Sequence, residues 1–281
     1  MKARSESRLK TIKHDCIRNG EFPRVYRGGV ERSAEPDHMP PRALFSRKQR
    51  PNDLVFPSCK GCNSGSSAID VIISWLARMY PDSPDPKERE EVLQLGRSMA
   101  ENFPEVASAF YPRDLILTPE QRAGLVGNPT AVNVNDPYVH RVVEFFGAKF
   151  GLGMHWLRTN HCVPPEGRVY SQWFTNYQAI SGRLPAEIFK VFPDPRPMMQ
   201  GRWHTSGRFE FAAALDADYT SHLAVFGQSF IVLAFVAPEP PELQFAESGS
   251  LECEPGCLKV GYPYGLPRLS RAELDKRFGV A

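Results

Sequence analysis

The chain has 281 residues with 42% hydrophobic content and a formal net charge of +2, which is ample for a packed core and excludes a chain that is disordered throughout. No apolar run approaches the roughly 20 residues that span a bilayer, and the basic N-terminus lacks the apolar core of a signal peptide. We therefore expect an intracellular, cytoplasmic protein with no membrane partner. The six cysteines are irregularly spaced, which favours metal binding or free thiols over a disulfide framework.

Positive charge is concentrated near the N-terminus. Residues 1–60 carry fourteen Lys and Arg against seven Asp and Glu, so the other 221 residues have a net charge of −5. Four of the cations lie close together in the sequence: Arg42, Arg47, Lys48 and Arg50. Such a patch can neutralise the phosphates of a nucleic acid. The alternative is a solvated arm and loop that bind nothing.

The first predicted elements are short. A strand or turn is expected within Glu21 to Val30, and the β-prone run 54–56 predicts a strand. Pro57-Ser58 then indicates a strand end and a helix cap. The helix that follows would carry Cys59, Cys62 and Asn63.

Helices are predicted over most of residues 69–156. The first has a stripe of apolar residues at helical spacing, namely Ile69, Ile72, Ile73, Leu76 and Tyr80. The segment Asp82-Ser83-Pro84-Asp85-Pro86 breaks this helix and caps a second, which runs towards Asn102 with Val92, Leu93 and Met99 facing inward. Thr118-Pro119-Glu120-Gln121 is typical of another helix start. Asp136-Pro137 opens a longer helix with an apolar stripe of Val139, Val142, Val143, Phe146 and Phe150.

Later residues predict an antiparallel β layer packed on these helices. Apolar residues alternate from Phe209 to Leu215, residues 216–218 form a turn, and Ser229 to Val236 is a nearly continuous apolar strand. Prolines and glycines after Pro238 indicate an irregular tail. The expected fold class is α+β, divided into a module at 1–80, an accessory region at 81–240 and a tail at 241–281.

Three polar residues in the first module suit phosphodiester hydrolysis. His38 can serve as a general base for water. Its neighbour Asp37 supplies a hard anionic oxygen, and Asn63 supplies an amide oxygen from a different element. Oxygen donors of this kind suit Mg²⁺ or Mn²⁺. Asn52, fourteen residues after His38, can brace the imidazole and fix its orientation.

In these residues the chain resembles the HNH endonuclease family, over about residues 14 to 80. The resemblance implies a ββα-metal module, with Asp37 and Asn63 as metal ligands, His38 as general base and Asn52 as the middle asparagine. Asn63 stands where the final histidine of the family usually lies, as in its asparagine variant. The segments 40–45 and 57–59 also resemble one branch of the family.

The cysteines depart from the family pattern. Many members hold a structural zinc with two CxxC pairs, but here only Cys59-Lys60-Gly61-Cys62 is complete and the upstream pair is reduced to Cys16. His14 or another nearby group can complete a tetrahedral Zn²⁺ set with these three cysteines. The alternative is that Cys59 and Cys62 pack as small apolar residues.

The resemblance implies a metal-dependent endonuclease whose products carry 5′-phosphate and 3′-hydroxyl ends. DNA is favoured over RNA as the partner because DNA is the usual target of the family. One HNH site nicks one strand, so double-strand cleavage would need a homodimer or two events. Two rival hypotheses remain: a catalytically silent module that binds a nucleic acid or partner, and an effector nuclease of antiviral defence controlled by a regulatory partner or signal.

Overall fold

The computed structural model describes residues 14–45, 54–79, 83–110, 132, 134, 136–192, 196–197, 199–200, 203–204, 208–216, 219–239 and 251–253. In this part of the chain the α-helices are α1 (His14–Arg18), α2 (Lys60–Ser64), α3 (Ser67–Arg78), α4 (Pro86–Asn102), α5 (Pro104–Phe110), α6 (Pro137–Thr159), α7 (Asn176–Ile180) and α8 (Ala186–Val191). The strands are β1 (Glu35–His38), β2 (Val55–Ser58), β3 (Arg168–Thr175), β4 (Arg196–Pro197), β5 (Met199–Gln200), β6 (Trp203–His204), β7 (Glu210–Leu215), β8 (Thr220–Phe226), β9 (Phe230–Ala237) and β10 (Leu251–Cys253).

All the strand pairs are antiparallel. Strands β1 and β2 form a two-stranded hairpin, and β5 pairs with β6. The large sheet has six strands in the order β10-β3-β9-β8-β7-β4. The fold therefore mixes helices with antiparallel sheet, as the predicted α+β class requires. No helix in the described residues is both long enough and apolar enough to cross a membrane.

The predicted helices have clear local causes. Helix α4 begins where Asp85 accepts a hydrogen bond from the backbone amide of Lys87 at 3.0 Å, and Pro86 occupies its first position. Met99 of this helix is buried, but Leu93 is 55% exposed, so its predicted inward orientation is wrong. Leu93 therefore lies on the solvent side of α4, a helix that also contacts α3 and α5. The helix start predicted at Thr118 lies outside the described residues.

Helix α6 contacts both the large sheet and α3. Its predicted stripe is fully buried, with zero exposure at Val139, Val142, Val143, Phe146 and Phe150. Two glycines allow the helix to lie close to the large sheet. A Cβ at Gly147 would lie 2.1 Å from Ser171 Oγ, and one at Gly151 would lie 2.7 Å from Ala234 Cβ.

The β layer is larger than the sequence predicts. Strands β7 and β9 agree with the prediction to within a residue, but β3 and β8 were not predicted. Strand β8 occupies most of the segment between the predicted turn and β9. Strand β10 is a regular element inside the predicted irregular tail, where it pairs with the edge of β3.

One continuous apolar core joins the N-terminal hairpin to the large sheet. Its buried side chains run from Val25 through α3 and α6 to Val236. A smaller cluster, which includes Ile188 and Phe192, packs around Leu223 and Leu233 of the sheet. The domain boundary near residue 80 stays a prediction, and the core crosses it without a break.

Candidate functional site

The hairpin places Asp37 and His38 at the end of β1. Asp37 is paired with Phe56 of β2, and His38 with Val55. The residues of β2 are all buried, so this strand anchors the hairpin against the core. Because neighbouring residues of a strand point to opposite faces, Asp37 is 2% exposed while His38 is only partly buried. The two predicted site residues therefore lie in different environments.

Asp37 forms an ion pair with a lysine from α6. The Nζ atom of Lys149 lies 2.6 Å from Asp37 Oδ2, and the two side chains are 4% and 2% exposed. Lys149 also donates a hydrogen bond to Ser66 Oγ at 2.7 Å, and its ammonium lies 5.1 Å from the centroid of the Tyr26 ring. Lys149 was not among the site residues predicted from the sequence. A single lysine inside the apolar run 145–154 was the available signal.

Asn63 lies on α2, the helix after β2, and its side chain contacts β1. Its side-chain nitrogen donates to Glu35 Oε2 at 3.0 Å and lies 3.5 Å from the carbonyl oxygen of Pro36. Ser66 Oγ donates to the backbone oxygen of Asn63 at 2.9 Å. Since Lys149 donates to the same hydroxyl, one polar chain connects Asp37 to the turn that follows Asn63.

The start of this helix differs from the prediction. Strand β2 continues through Ser58, and Cys59 rather than Ser58 is the cap of α2. Cys59 Sγ accepts a hydrogen bond from the Cys62 backbone amide at 3.4 Å. The cap moves by one residue because the β1 pairing extends to Ser58, which is paired with Glu35.

Among the described residues, the contacts of His38 include the side chains of Arg42 and His14. The Nε2 atom of His38 contacts the guanidinium of Arg42, and the His38 ring centroid lies 5.1 Å from that of His14 in an edge-on arrangement. Arginine only donates hydrogen bonds, so Nε2 is the acceptor in this contact. Of the four predicted phosphate-binding cations, only Arg42 is described; Arg47, Lys48 and Arg50 lie outside the described residues, as does Asn52.

A second acidic residue lies close to the buried pair. Burial raises the pKa of Asp70 to about 7, Lys149 opposes this effect, and Asp37 adds to it. Burial and the Asp37 carboxylate also hold the pKa of Tyr26 well above its usual value. The interior of the site therefore combines one ammonium with two carboxyl groups, and its charge balance depends on Lys149.

The zinc site of Cys16, Cys59 and Cys62 stays a prediction. The three cysteines form no disulfide bond, and within the described residues no three His, Cys, Asp or Glu side chains are grouped as metal ligands. Burial raises the pKa of Cys62 to about 12, and the neighbouring Cys59 adds to this shift. For Cys59, burial also raises the pKa, but the hydrogen bond from Cys62 and the charge of Arg24 outweigh it and lower the pKa overall.

The predicted oxygen donors are of the kind that suits a hard divalent cation. Asp37 offers a carboxylate, and Asn63 offers an amide that already lies against β1. Carboxylate and amide oxygens, completed by water, are the ligands that Mg²⁺ and Mn²⁺ prefer. The Asp37 carboxylate is ion-paired with Lys149, unlike a carboxylate that faces solvent.

Comparison of the chain with the models of protein families, with curated proteins and with solved structures found no match.

Proposed function

We propose that this protein is a metal-dependent endonuclease of the HNH type that hydrolyses phosphodiester bonds, with DNA as the preferred substrate. One observation carries the proposal: the side chain of Asn63 is hydrogen bonded to Glu35 of the same strand that ends in Asp37 and His38. This contact supports the proposal because it joins the helix that carries Asn63 to the strand that carries Asp37 and His38.

Each side chain has a distinct role in this proposal. His38 accepts a proton from the attacking water, and Asn52 orients its ring. Asp37 and Asn63 hold a Mg²⁺ or Mn²⁺ ion, which supplies positive charge for the phosphoryl oxygens and the leaving oxygen. Arg42 contacts His38 Nε2 in the free protein. A substrate phosphate attracts the Arg42 guanidinium, which leaves Nε2 able to take the proton.

The products follow from the resemblance to the HNH family and carry 5′-phosphate and 3′-hydroxyl ends. Sequence preference is expected to be weak. The cations Arg42, Arg47, Lys48 and Arg50 suit contacts with the phosphate backbone, which position a protein on DNA without reading its bases.

Plasmid nicking tests the proposal directly. Purified protein is incubated with supercoiled plasmid at low salt with Mg²⁺ or Mn²⁺, then with chelator. We expect metal-dependent nicking that falls at least about a hundredfold in His38→Ala, the usual scale for losing a general base. His161→Ala is the matched control, because His161 is exposed and lies in the loop after α6. Equal nicking by wild type and His38→Ala would contradict the role of His38.

The contacts of the site also favour a second candidate, a silent module that binds a nucleic acid without cutting it. Asp37 is bonded to Lys149, and His38 to Arg42, so both groups already have cationic partners. In this case DNA binding, measured by fluorescence anisotropy, persists in His38→Ala and weakens steeply with salt. Neither metal produces nicking.

A further inference from the structure

Lys149 is buried, and the groups that pair with its ammonium all lie outside its own helix. Lysine is rarely fully buried unless it is paired, and Lys149 is paired from three separate parts of the chain. Its ammonium contacts Asp37 at the end of β1, Ser66 between α2 and α3, and the ring of Tyr26. These contacts hold the charge in one place, whereas an exposed lysine would sample many positions.

The pair has a direct consequence for the proposed metal ligand. One oxygen of the Asp37 carboxylate lies 2.6 Å from the ammonium, in a region where both side chains are shielded from water. A divalent cation at Asp37 would share that carboxylate with a fixed positive charge. Charges interact strongly where water is excluded, so the ammonium disfavours the cation.

We propose that Lys149 is the built-in counter-ion of Asp37, which competes with a divalent cation for the carboxylate and so sets the ion concentration at which the site fills. This inference rests on the assignment of Asp37 as a metal ligand in the proposed function. Lys149 acts through Asp37 and is a positioning residue. It also gives the buried Asp37 carboxylate a partner before any cation binds, since an unpaired buried charge is strongly destabilising.

The variant Lys149→Met tests whether the ammonium both stabilises the folded protein and competes with a divalent cation for Asp37. Methionine has a similar length but no charge, so the Asp37 carboxylate would remain buried without a partner. We expect Lys149→Met to unfold at a lower temperature than wild type in chelator. Mn²⁺ should then raise its melting temperature more than that of wild type, because a ligand that binds only the folded state stabilises it. Mn²⁺ affinity, measured by calorimetry or electron paramagnetic resonance, should increase about tenfold or more, the scale on which a neighbouring charge changes binding of a cation.

A double variant and a matched control identify the cause. In Asp37→Asn/Lys149→Met both charges are absent, so we expect stability in chelator to recover and the effect of Mn²⁺ to disappear. Arg78→Met removes another buried cation, which pairs with Glu91 at 2.5 Å. This control should lose stability without gaining affinity for Mn²⁺.

Three results would overturn the inference. These are unchanged or weaker Mn²⁺ binding in Lys149→Met, Mn²⁺ stabilisation that persists in the double variant, and equal Mn²⁺ rescue of Arg78→Met. If Lys149→Met does not fold in chelator, the inference requires that the double variant folds there, and failure of the double variant overturns it.

The binding and melting measurements need no nuclease activity. Tight Mn²⁺ binding by Lys149→Met with no plasmid nicking by wild type would support the counter-ion and reject the proposed function. Nicking by wild type with unchanged Mn²⁺ affinity in Lys149→Met would support the proposed function and reject the counter-ion.

Discussion

The hairpin region, residues 21–45 and 54–79, and the six-stranded sheet are stabilised in different ways. The strands of the hairpin have four residues each, whereas β3 and β9 have eight. A two-stranded hairpin is marginal in water on its own. The hairpin depends on α6, whose Trp156 ring centroid lies 6.5 Å from that of Phe56 and 5.9 Å from that of Phe22. The sheet packs on the same helix through apolar residues and close-fitting glycines.

This difference shows how one helix can serve both a core and a site. Against the sheet, α6 presents Gly147 and Gly151 to β3 and β9. Towards the hairpin it presents Lys149, which pairs with Asp37, and Gly153, where an added Cβ would lie 3.1 Å from Phe56. The sheet contact leaves no room for a Cβ at either glycine, while the hairpin contact includes a charged pair.

The largest effect is expected where the hairpin depends on α6. Phe56 is fully buried, and Phe56→Ala should lower the free energy of unfolding by about 3–5 kcal/mol through lost burial and a cavity. Urea unfolding followed by tryptophan fluorescence measures the loss. Val30→Ala is the matched control in the same region, because Val30 is 74% exposed and should change stability by less than about 0.5 kcal/mol. Similar losses in the two variants would show that the hairpin does not depend on this contact.

A smaller loss should follow from crowding the interface with the sheet. Gly147→Val places atoms where Ser171 Oγ and Val232 Cγ1 already lie, at 2.1 and 2.6 Å from the added Cβ. Overpacking of this kind costs about 1–3 kcal/mol, measured by urea unfolding. Gly61→Ala is the control, since its Cβ would meet only Cys59 Sγ, at 3.7 Å, and alanine favours helix α2. A Gly147→Val protein as stable as wild type would show that α6 can move away from the sheet.

The smallest effect concerns Glu144, a carboxyl group on α6 that, unlike Asp37, forms no ion pair with a described residue. Glu144 is 9% exposed, has no salt bridge to any described residue, and burial raises its pKa from 4.5 to about 7 although Arg141 opposes the shift. Its folded form binds a proton more tightly than its unfolded form. Its contribution to stability therefore falls as the pH rises from about 4.5 to about 7, and stays low above that range.

Glu144→Gln should remove this pH dependence. We expect the substitution to raise stability at pH 8 by about 1–2 kcal/mol relative to its effect at pH 5, on the scale of about 1.4 kcal/mol for each pKa unit. Urea unfolding at both pH values measures the change. Glu101→Gln, at an exposed position of α4, should show no such difference. A pH profile of Glu144→Gln identical to wild type would contradict the assignment.

Local patterns predicted α3, α4 and α6, but not α1, α7 or α8. The apolar stripe of α6 and the Asp85-Pro86 start of α4 act through contacts within a few residues, so they can be read without knowing the fold. The closeness of Asn63 to β1 was also predictable, because a hairpin and the next helix are neighbours in the chain. Its observed partner is Glu35 rather than Asp37.

The unpredicted strands have polar residues in buried positions. Strand β8 begins with Thr220, Ser221 and His222, all buried, which hides the alternation typical of strands. Thr220 and His222 are partnered, because Thr220 Oγ1 lies 2.9 Å from both His155 Nδ1 and His222 Nε2. In β3 the buried Ser171 similarly interrupts the apolar run. The contact between Thr220 and His155 joins distant parts of the chain, so local patterns do not reveal it.

The sequence by itself determined the strand near residues 54–56 and the helix that carries Asn63, since strand propensity and helix caps act over short distances. Only the tertiary structure brought Lys149 to Asp37. That contact depends on the packing of α6 between the hairpin and the sheet, where Gly147 and Gly151 permit a close approach and the apolar stripe excludes water. Burial of this kind gives the ammonium its influence over the carboxylate, because charges interact most strongly where water is absent.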